Sequence, residues 1–251
     1  MKVCIVGGNM KTFGITHIGL VREINEDNYF MSKEPIGKLP NLFIIADGMG
    51  GHNAGEVASK LAVEGFVNYV KNDSSTETIE GIFIKATQYA NNVIYEKAIH
   101  TSEMNGMGTT MVACSLIDDI LYVINIGDSR LYVIDQALKQ VTIDHSYVEE
   151  LIRVGEITRD ESIHHPAKNK ITRALGIVHH ADPDIYKLRA NELTKIFLCS
   201  DGLTTMVRDE RIFEALSSNI EIREQGNMLV DEAINNGGTD NITLLIIDIK
   251  N

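Results

Sequence analysis

Four aspartates sit where apolar runs stop. Asp47 follows LFIIA (42–46), Asp128 follows LYVINIG, Asp201 follows IFLCS, and Asp240 precedes NITLLIIDI. Each stands beside glycine or another small residue, in the contexts ADGMGG, GDS, SDG and GGTDN. One Asp-Gly pair after a strand is ordinary turn chemistry, the acid accepting local backbone hydrogen bonds and the glycine taking positive φ. Four such acids, spread from residue 47 to residue 240, point to something the fold assembles. If the strand ends converge, carboxylates ~4 Å apart repel by roughly 4 kcal/mol per pair at a surface-like dielectric. A bound cation removes that repulsion. With oxygen ligands and no His/Cys cluster the ion is a hard one: magnesium, manganese or calcium. A calcium loop would gather its acids in one short segment, which this chain does not do. Paired hard metals supply a nucleophile at neutral pH and neutralise a phosphoryl group, so phosphate ester hydrolysis is the leading chemistry.

A phosphate also needs an anion anchor. In GLVREINEDN, Arg22 precedes Glu26 and Asp27 by a few residues, and a guanidinium fork can hold two phosphoryl oxygens. The competing reading is a surface arginine paired with Glu23 or Glu26. Other phosphate chemistries fail on spacing. A cysteine nucleophile would want an arginine six residues on, where Cys4, Cys114 and Cys199 are followed by Met10, Ile120 and Thr205. DPDIY (182–186) has the acid pair of an aspartyl-phosphate enzyme but ends in Tyr186, without an apolar strand leading in. No GxxxxGK loop is present, which argues against a nucleotide kinase or ATPase.

The elements that must position these residues alternate between strand-like runs and amphipathic helices. LFIIA reads as a strand, and the helix after it carries a stripe of Val57, Ala58, Leu61, Ala62, Gly65 and Phe66. A second helix is expected over 79–99, with Ile82, Ala86, Tyr89 and Val93 on one face. TTMVACSLI, LYVINI and RLYVI read as three strands joined by tight turns at Asp118-Asp119 and Gly127-Asp128-Ser129, an antiparallel meander. HSYVEELIRVGEI reads as a short helix, and the polar stretch 158–169 as part of a mobile flap over about 145–172. KIFLCS is a buried strand, two helices fill 208–235, and NITLLIIDI closes the chain as a strand. No linker, charge block or internal repeat divides the sequence, so residues 10–251 read as one α+β domain of antiparallel sheets covered by helices.

Composition narrows the function classes. At 251 residues and 44% apolar content the chain can bury a sizeable core. Its net charge of −12 and lack of a basic stretch argue against a nucleic-acid partner. Three scattered cysteines form neither a disulfide framework nor a zinc-like CxxC pair, which fits a reducing cytoplasm. The apolar runs stop far short of a bilayer span, so no membrane insertion is expected. Residues 1–9 look detached from MKTFGITHIG, and Met10 would itself make a natural start.

Seven ordered blocks then carry a resemblance. GLVREINEDN, IIADGMGGHNAGEVAS, GTTMVACSLIDDILYVINIGDSRLYVI, DHSYVEELIRVGEI, ITRALG, FLCSDGL and GGTDNITLLII resemble the metal-dependent serine/threonine protein phosphatases of the 2C type, in their compact bacterial form. The resemblance runs from about Thr12 to Ile249. It implies a four-layer αββα sandwich, with two manganese or magnesium ions in a cleft at one end of the paired sheets. It makes Asp47 the acid that bridges both metals, Gly48 a backbone-carbonyl ligand, and Asp201 and Asp240 ligands of the second metal. Glu26 and Asp27 act mainly through metal-bound waters, Arg22 grips the substrate phosphate, and Asp128 joins Asp201 in a third, weaker metal site. The family's candidate acid is a histidine directly after the Asp-Gly pair; here DGMGGH places His52 three positions later. His164 and His165 fall in the flap, where the resemblance suggests substrate gating.

The implied reaction is direct attack of a metal-bridging water on phosphoserine or phosphothreonine, with no covalent phosphoenzyme. The implied partners are phosphorylated proteins and a cognate serine/threonine kinase, with the enzyme a monomer. Two alternatives share these residues: a metal-dependent hydrolase of small phosphate esters, and a catalytically silent phosphopeptide-binding regulator. A degenerate regulator would be expected to lose Asp47, Asp201 or Asp240, and all three are present.

Overall fold

A computed structural model describes residues 10–51 and 54–250. The segment 1–9 and His52 lie outside the described residues. The strands are β1 (Lys11–His17), β2 (Asp27–Ser32), β3 (Leu42–Met49), β4 (Gly108–Thr109), β5 (Met111–Ile117), β6 (Ile120–Ile126), β7 (Arg130–Ile134), β8 (Leu138–Gln140), β9 (Asp184–Arg189), β10 (Lys195–Cys199) and β11 (Ile242–Asp248). The helices are α1 (Ala54–Asn72), α2 (Ile79–His100), α3 (Tyr147–Arg153), α4 (Arg159–Ile163), α5 (Asp201–Thr204), α6 (Asp209–Ser217) and α7 (Ile222–Asn235). No helix among the described residues is long and apolar enough to cross a membrane.

The strands form two antiparallel sheets. One has the order β1-β11-β10-β7-β8; the other has β2-β3-β5-β6-β9, with β4 paired to β3. Three apolar clusters stack through the molecule. The first packs α1 and α2 on the second sheet, the middle one fills the space between the sheets, and the third packs α5, α6 and α7 on the first sheet. The architecture is therefore the four-layer αββα sandwich.

Strand periodicity builds these layers directly. In β3, Leu42, Ile44 and Ala46 face the helices while Phe43 and Ile45 face the other sheet. In β11, Leu245 and Ile247 face between the sheets while Leu244 and Ile246 face α7. A strand buried on both faces has no polar side to show, which is why these segments read as unbroken apolar runs.

Two expectations are corrected. Gly127-Asp128-Ser129 is not a hairpin: β6 pairs with β5 and β9, whereas β7 pairs with β10 and β8 in the other sheet. The turn carries the chain from one sheet to the other, with Gly127 at φ +109°. On α2, Tyr89 is exposed and the buried stripe is Ile82, Phe83, Ala86, Ala90 and Ile94. Within the 145–172 segment, residues 158–169 include a helix, α4, whose N-terminus is fixed by a capping box between Thr158 and Glu161.

Candidate active site at the sheet ends

The registers fix where the acids meet. Asp27 on β2 lies opposite Asp47 on β3, Cys199 on β10 lies opposite Leu244 on β11 and Arg130 on β7, and Met111 on β5 lies opposite Ile126 on β6. Because neighbouring strands run antiparallel, the residues just beyond these pairs, Asp128, Asp201 and Asp240, share one end of the sandwich with Asp27 and Asp47. There a cavity of about 210 Å³ is lined by Arg22, Glu26, Asp47, Gly48, Asp128, Asp201 and Asp240, and also by Thr110, Asn169 and Ile171.

Asp47 is held through its backbone. Its N–H donates to Thr110 Oγ1 at 3.0 Å, and its carbonyl accepts from Thr110 N and Thr109 Oγ1, both at 2.8 Å. Thr110 Oγ1 in turn meets Ser129 Oγ at 2.7 Å, linking Asp47 to the turn that carries Asp128. At Gly48, an added Cβ would lie 2.0 Å from the Gly55 carbonyl and 2.7 Å from that of Glu26, so only glycine permits this approach. Asn241 ties the opposite wall: its amide donates to the carbonyls of Ile18 and Ile24, and its Oδ1 accepts Glu26 N–H at 2.8 Å. Ser200 donates to Asp27 Oδ2 at 2.8 Å while accepting Thr243 N–H at 3.0 Å.

Burial raises the affinity of these carboxyls for protons, and their neighbours raise it further. Asp27 is pushed up to about 7, burial being the first cause, opposed by hydrogen bonds from Thr243 and Ser200. Asp128 is pushed up to about 8 by burial and by Asp201 and Asp144. Asp47 is raised well above the usual range by burial, then by Asp27, Asp201, Asp128 and Asp240. Asp201 is raised by burial and by Asp240, and Glu26 by burial.

This arrangement fits a bound divalent cation. Glu26 Oε1 and Asp27 Oδ1 are buried without a hydrogen-bond partner, a costly state that a nearby cation with its waters would relieve. Among the described residues no three His, Cys, Asp or Glu side chains close into a tight ligand cluster. Arg22 meets Asp240 Oδ2 at 2.8 Å and Glu26 Oε2 at 3.8 Å, beside the cavity rather than on a remote surface.

Sequence reading missed Thr110, Ser200, Asn241, Asn169 and Ile171. The first three adjoin recognised acids or sit in the GTT block, where a small polar residue beside a strand end is the available signal. Asn169 and Ile171 reach the cavity from the 145–172 segment, a placement no local pattern encodes. Cys114 and Cys199 are free and buried, and burial drives both thiols upward, so neither is a nucleophile.

An acid-floored cleft with an arginine at its rim, set at the end of two stacked sheets, defines a class of hydrolases that act on phosphate esters with divalent metals. Comparison with known proteins narrows the class. The family profile described as "Protein phosphatase 2C" matches residues 17–231. A curated protein named serine/threonine phosphatase stp, from Listeria innocua, is 38% identical over 239 residues, covering 93% of each chain. The crystal structure of serine/threonine phosphatase Stp1 from Staphylococcus aureus superposes with a TM-score of 0.91 at 32% identity, covering 98% of this chain and 97% of that one. The catalytic domain of the serine threonine protein phosphatase PstP, crystallised in complex with two manganese ions, gives a TM-score of 0.81 at 33% identity, covering 95% and 97%. The chain belongs to the protein phosphatase 2C family.

Proposed function

We propose that the cleft hydrolyses phosphoserine and phosphothreonine in proteins, with Arg22 binding the phosphate and the clustered acids holding the metals. As a member of its family the chain is a metal-dependent serine/threonine phosphatase. The observation that carries the assignment of residues is the meeting of Asp47, Asp128, Asp201, Asp240, Glu26 and Arg22 around one cavity.

Asp47, with the backbone of Gly48, and Asp201 and Asp240 are the residues that would hold two divalent cations. Glu26 and Asp27 would bind their waters, and Asp128 with Asp201 would form a third, weaker site. Bound there, such ions supply an activated water and offset charge on the phosphoryl group. The protein's own residues do the rest. Thr109, Thr110 and Asn241 fix the backbones that aim the acids, so little reorganisation is needed when substrate arrives. Arg22 is already charged and at the rim, where a substrate phosphate competes with Asp240 for its fork. Asn169 and Ile171 cover one side of the cleft, which supports reading 145–172 as a flap on a single phosphatase domain spanning 10–251. The same reading makes the chain a cytoplasmic monomer that opposes a serine/threonine kinase, with His52 the candidate acid for the leaving group.

The test is release of phosphate from phosphothreonine and phosphotyrosine peptides and from a small phosphate ester, with manganese and with EDTA. Manganese-dependent preference for the phosphothreonine peptide is expected. Equal turnover of all three, or turnover in EDTA, would overturn the assignment.

A further inference from the structure

His145 stands just ahead of α3 and is 5% exposed, yet it lines neither the catalytic cavity nor its neighbour. Its contacts join three pieces of chain. On one side, Gly127 N–H donates to the ring Nδ1 at 3.1 Å while His145 N–H donates to the Gly127 carbonyl at 2.9 Å. Gly127 immediately precedes Asp128, and a Cβ there would strike Thr110 at 2.5 Å, so this residue has little freedom of its own. On the other side, ring Nε2 lies 3.1 Å from Asp184 Oδ2 on β9. Since Nδ1 accepts, the ring proton sits on Nε2 and is donated to Asp184, which selects the neutral tautomer. Arg173 holds the other carboxylate oxygen at 3.0 Å, closer than its 3.4 Å approach to Nε2, and Tyr186 Oη reaches Oδ2 at 3.4 Å. The third piece is the far leg of the 145–172 segment: Thr172 N–H donates to the His145 carbonyl at 2.7 Å, Tyr147 N–H to Lys170 O at 2.8 Å, and Ser146 bridges to Ile171. These bonds zip the two legs together immediately below Asn169 and Ile171.

We propose that His145 is a positioning residue whose ring fastens the base of the 145–172 segment to the turn carrying Asp128, so that Asn169 and Ile171 keep a fixed place over the acids. A buried imidazole suits the task because it presents an acceptor and a donor at opposite edges of one rigid plane, bridging Gly127 and Asp184 with a single side chain. The inference rests on reading the cleft as the phosphatase site, but its principal test does not require turnover.

Amide hydrogen exchange of the whole chain, without metal, is compared for the native protein, His145→Asn, His145→Gln and Asp184→Ala. An asparagine amide oxygen lies near the position of Nδ1 and can still accept from Gly127. A glutamine amide lies near Nε2 and leaves Gly127 unpaired. Peptides covering 146–172 should exchange about tenfold faster in His145→Gln, which unfastens the turn carrying Asp128, and faster by a smaller, similar factor in His145→Asn and Asp184→Ala, which keep the Gly127 bond and lose only the one to Asp184, since local opening follows the loss of the bonds at the base. With manganese, KM for a phosphothreonine peptide should rise in the same order. Unchanged exchange in His145→Gln, or equal acceleration in His145→Asn and His145→Gln, overturns the proposal. If His145→Gln does not fold, Asp184→Ala alone decides: faster exchange confined to 146–172 supports it and native exchange overturns it. A native chain that releases no phosphate would count against the phosphatase assignment, and the exchange data would still decide the role of His145.

Discussion

Arg22 and Asp240, 218 residues apart in sequence, meet at 2.8 Å on the rim of the acid cavity. Their contact joins the loop after β1 to the residue just before β11, and Glu26 lies 3.8 Å from the other guanidinium nitrogen. The pair is 46% and 33% exposed, so solvent screens it and its share of fold stability is small, ~0–1 kcal/mol. Its weight is chemical: it keeps a charged fork beside the acids.

Arg22→Ala should therefore leave the melting temperature nearly unchanged and raise KM for phosphopeptide by about tenfold or more, with a smaller fall in kcat. Arg22→Lys should recover part of the loss, because an ammonium keeps the charge but not the two-pronged geometry. Steady-state kinetics with manganese checks this, and an unchanged KM in Arg22→Ala would remove the arginine from phosphate binding.

Removing metal should expose the electrostatic cost of the site. An acid whose affinity for protons is raised in the fold stabilises the fold at low pH, and that stability disappears as pH rises through the folded value. Asp27 at about 7 and Asp128 at about 8 set the window. In EDTA the melting temperature should fall by a few degrees between about pH 5.5 and pH 8.5, and saturating manganese should cancel or reverse the fall. Asp47→Asn should flatten the slope in EDTA, since it deletes one of the mutually repelling charges, while lowering manganese-dependent turnover on the order of a hundredfold or more. Equal slopes with and without manganese would mean the acids hold no cation.

Ser200 makes a separable contribution. Its hydroxyl serves two buried partners, the Asp27 carboxyl and Thr243 N–H, so Ser200→Ala leaves both short of a bond at a cost of about 1–3 kcal/mol. Urea unfolding should record that loss, and manganese affinity measured by calorimetry should drop with it, because Asp27 loses the bond that orients it. A variant as stable as the native chain would show that Ser200 is dispensable.

The strands that carry Asp47, Asp128, Asp201 and Asp240 were legible because each is buried on at least one face and ends in a small-residue turn. β2, β9 and β1 leave no clear strand signal in the sequence. DNYFMS and DIYKLR are only partly buried and lie at sheet edges, so the apolar signal is diluted. Because adjacent strands usually pair, the sequence points to a hairpin at Asp128; which sheet receives β7 depends on its partner β10, some sixty residues on, and leaves no local mark. The acids were recognised by their spacing from strand ends. The hydroxyls and amides that aim them were not, since their partners come from distant parts of the chain.

Two glycines near one acid should separate crowding of backbone from crowding of a side chain. At Gly48 a methyl group would meet only carbonyls, those of Gly55 and Glu26, and neither β3 nor the start of α1 can give way without losing bonds. At Gly55 the nearest atom is the tip of Glu26, Oε1 at 2.3 Å, which can swing aside, although the carbonyl carbon of Gly48 at 2.8 Å limits the room. Gly48→Ala should thus cost more than the usual ~1–3 kcal/mol of an overpacked core and yield little folded protein. Gly55→Ala should fold at reduced stability but push Glu26 from its place, weakening manganese binding more than it weakens the fold. Thermal melts and manganese calorimetry on the two variants check the order, and a Gly48→Ala protein that folds and binds manganese normally would contradict the close backbone approach on which the placement of Asp47 depends.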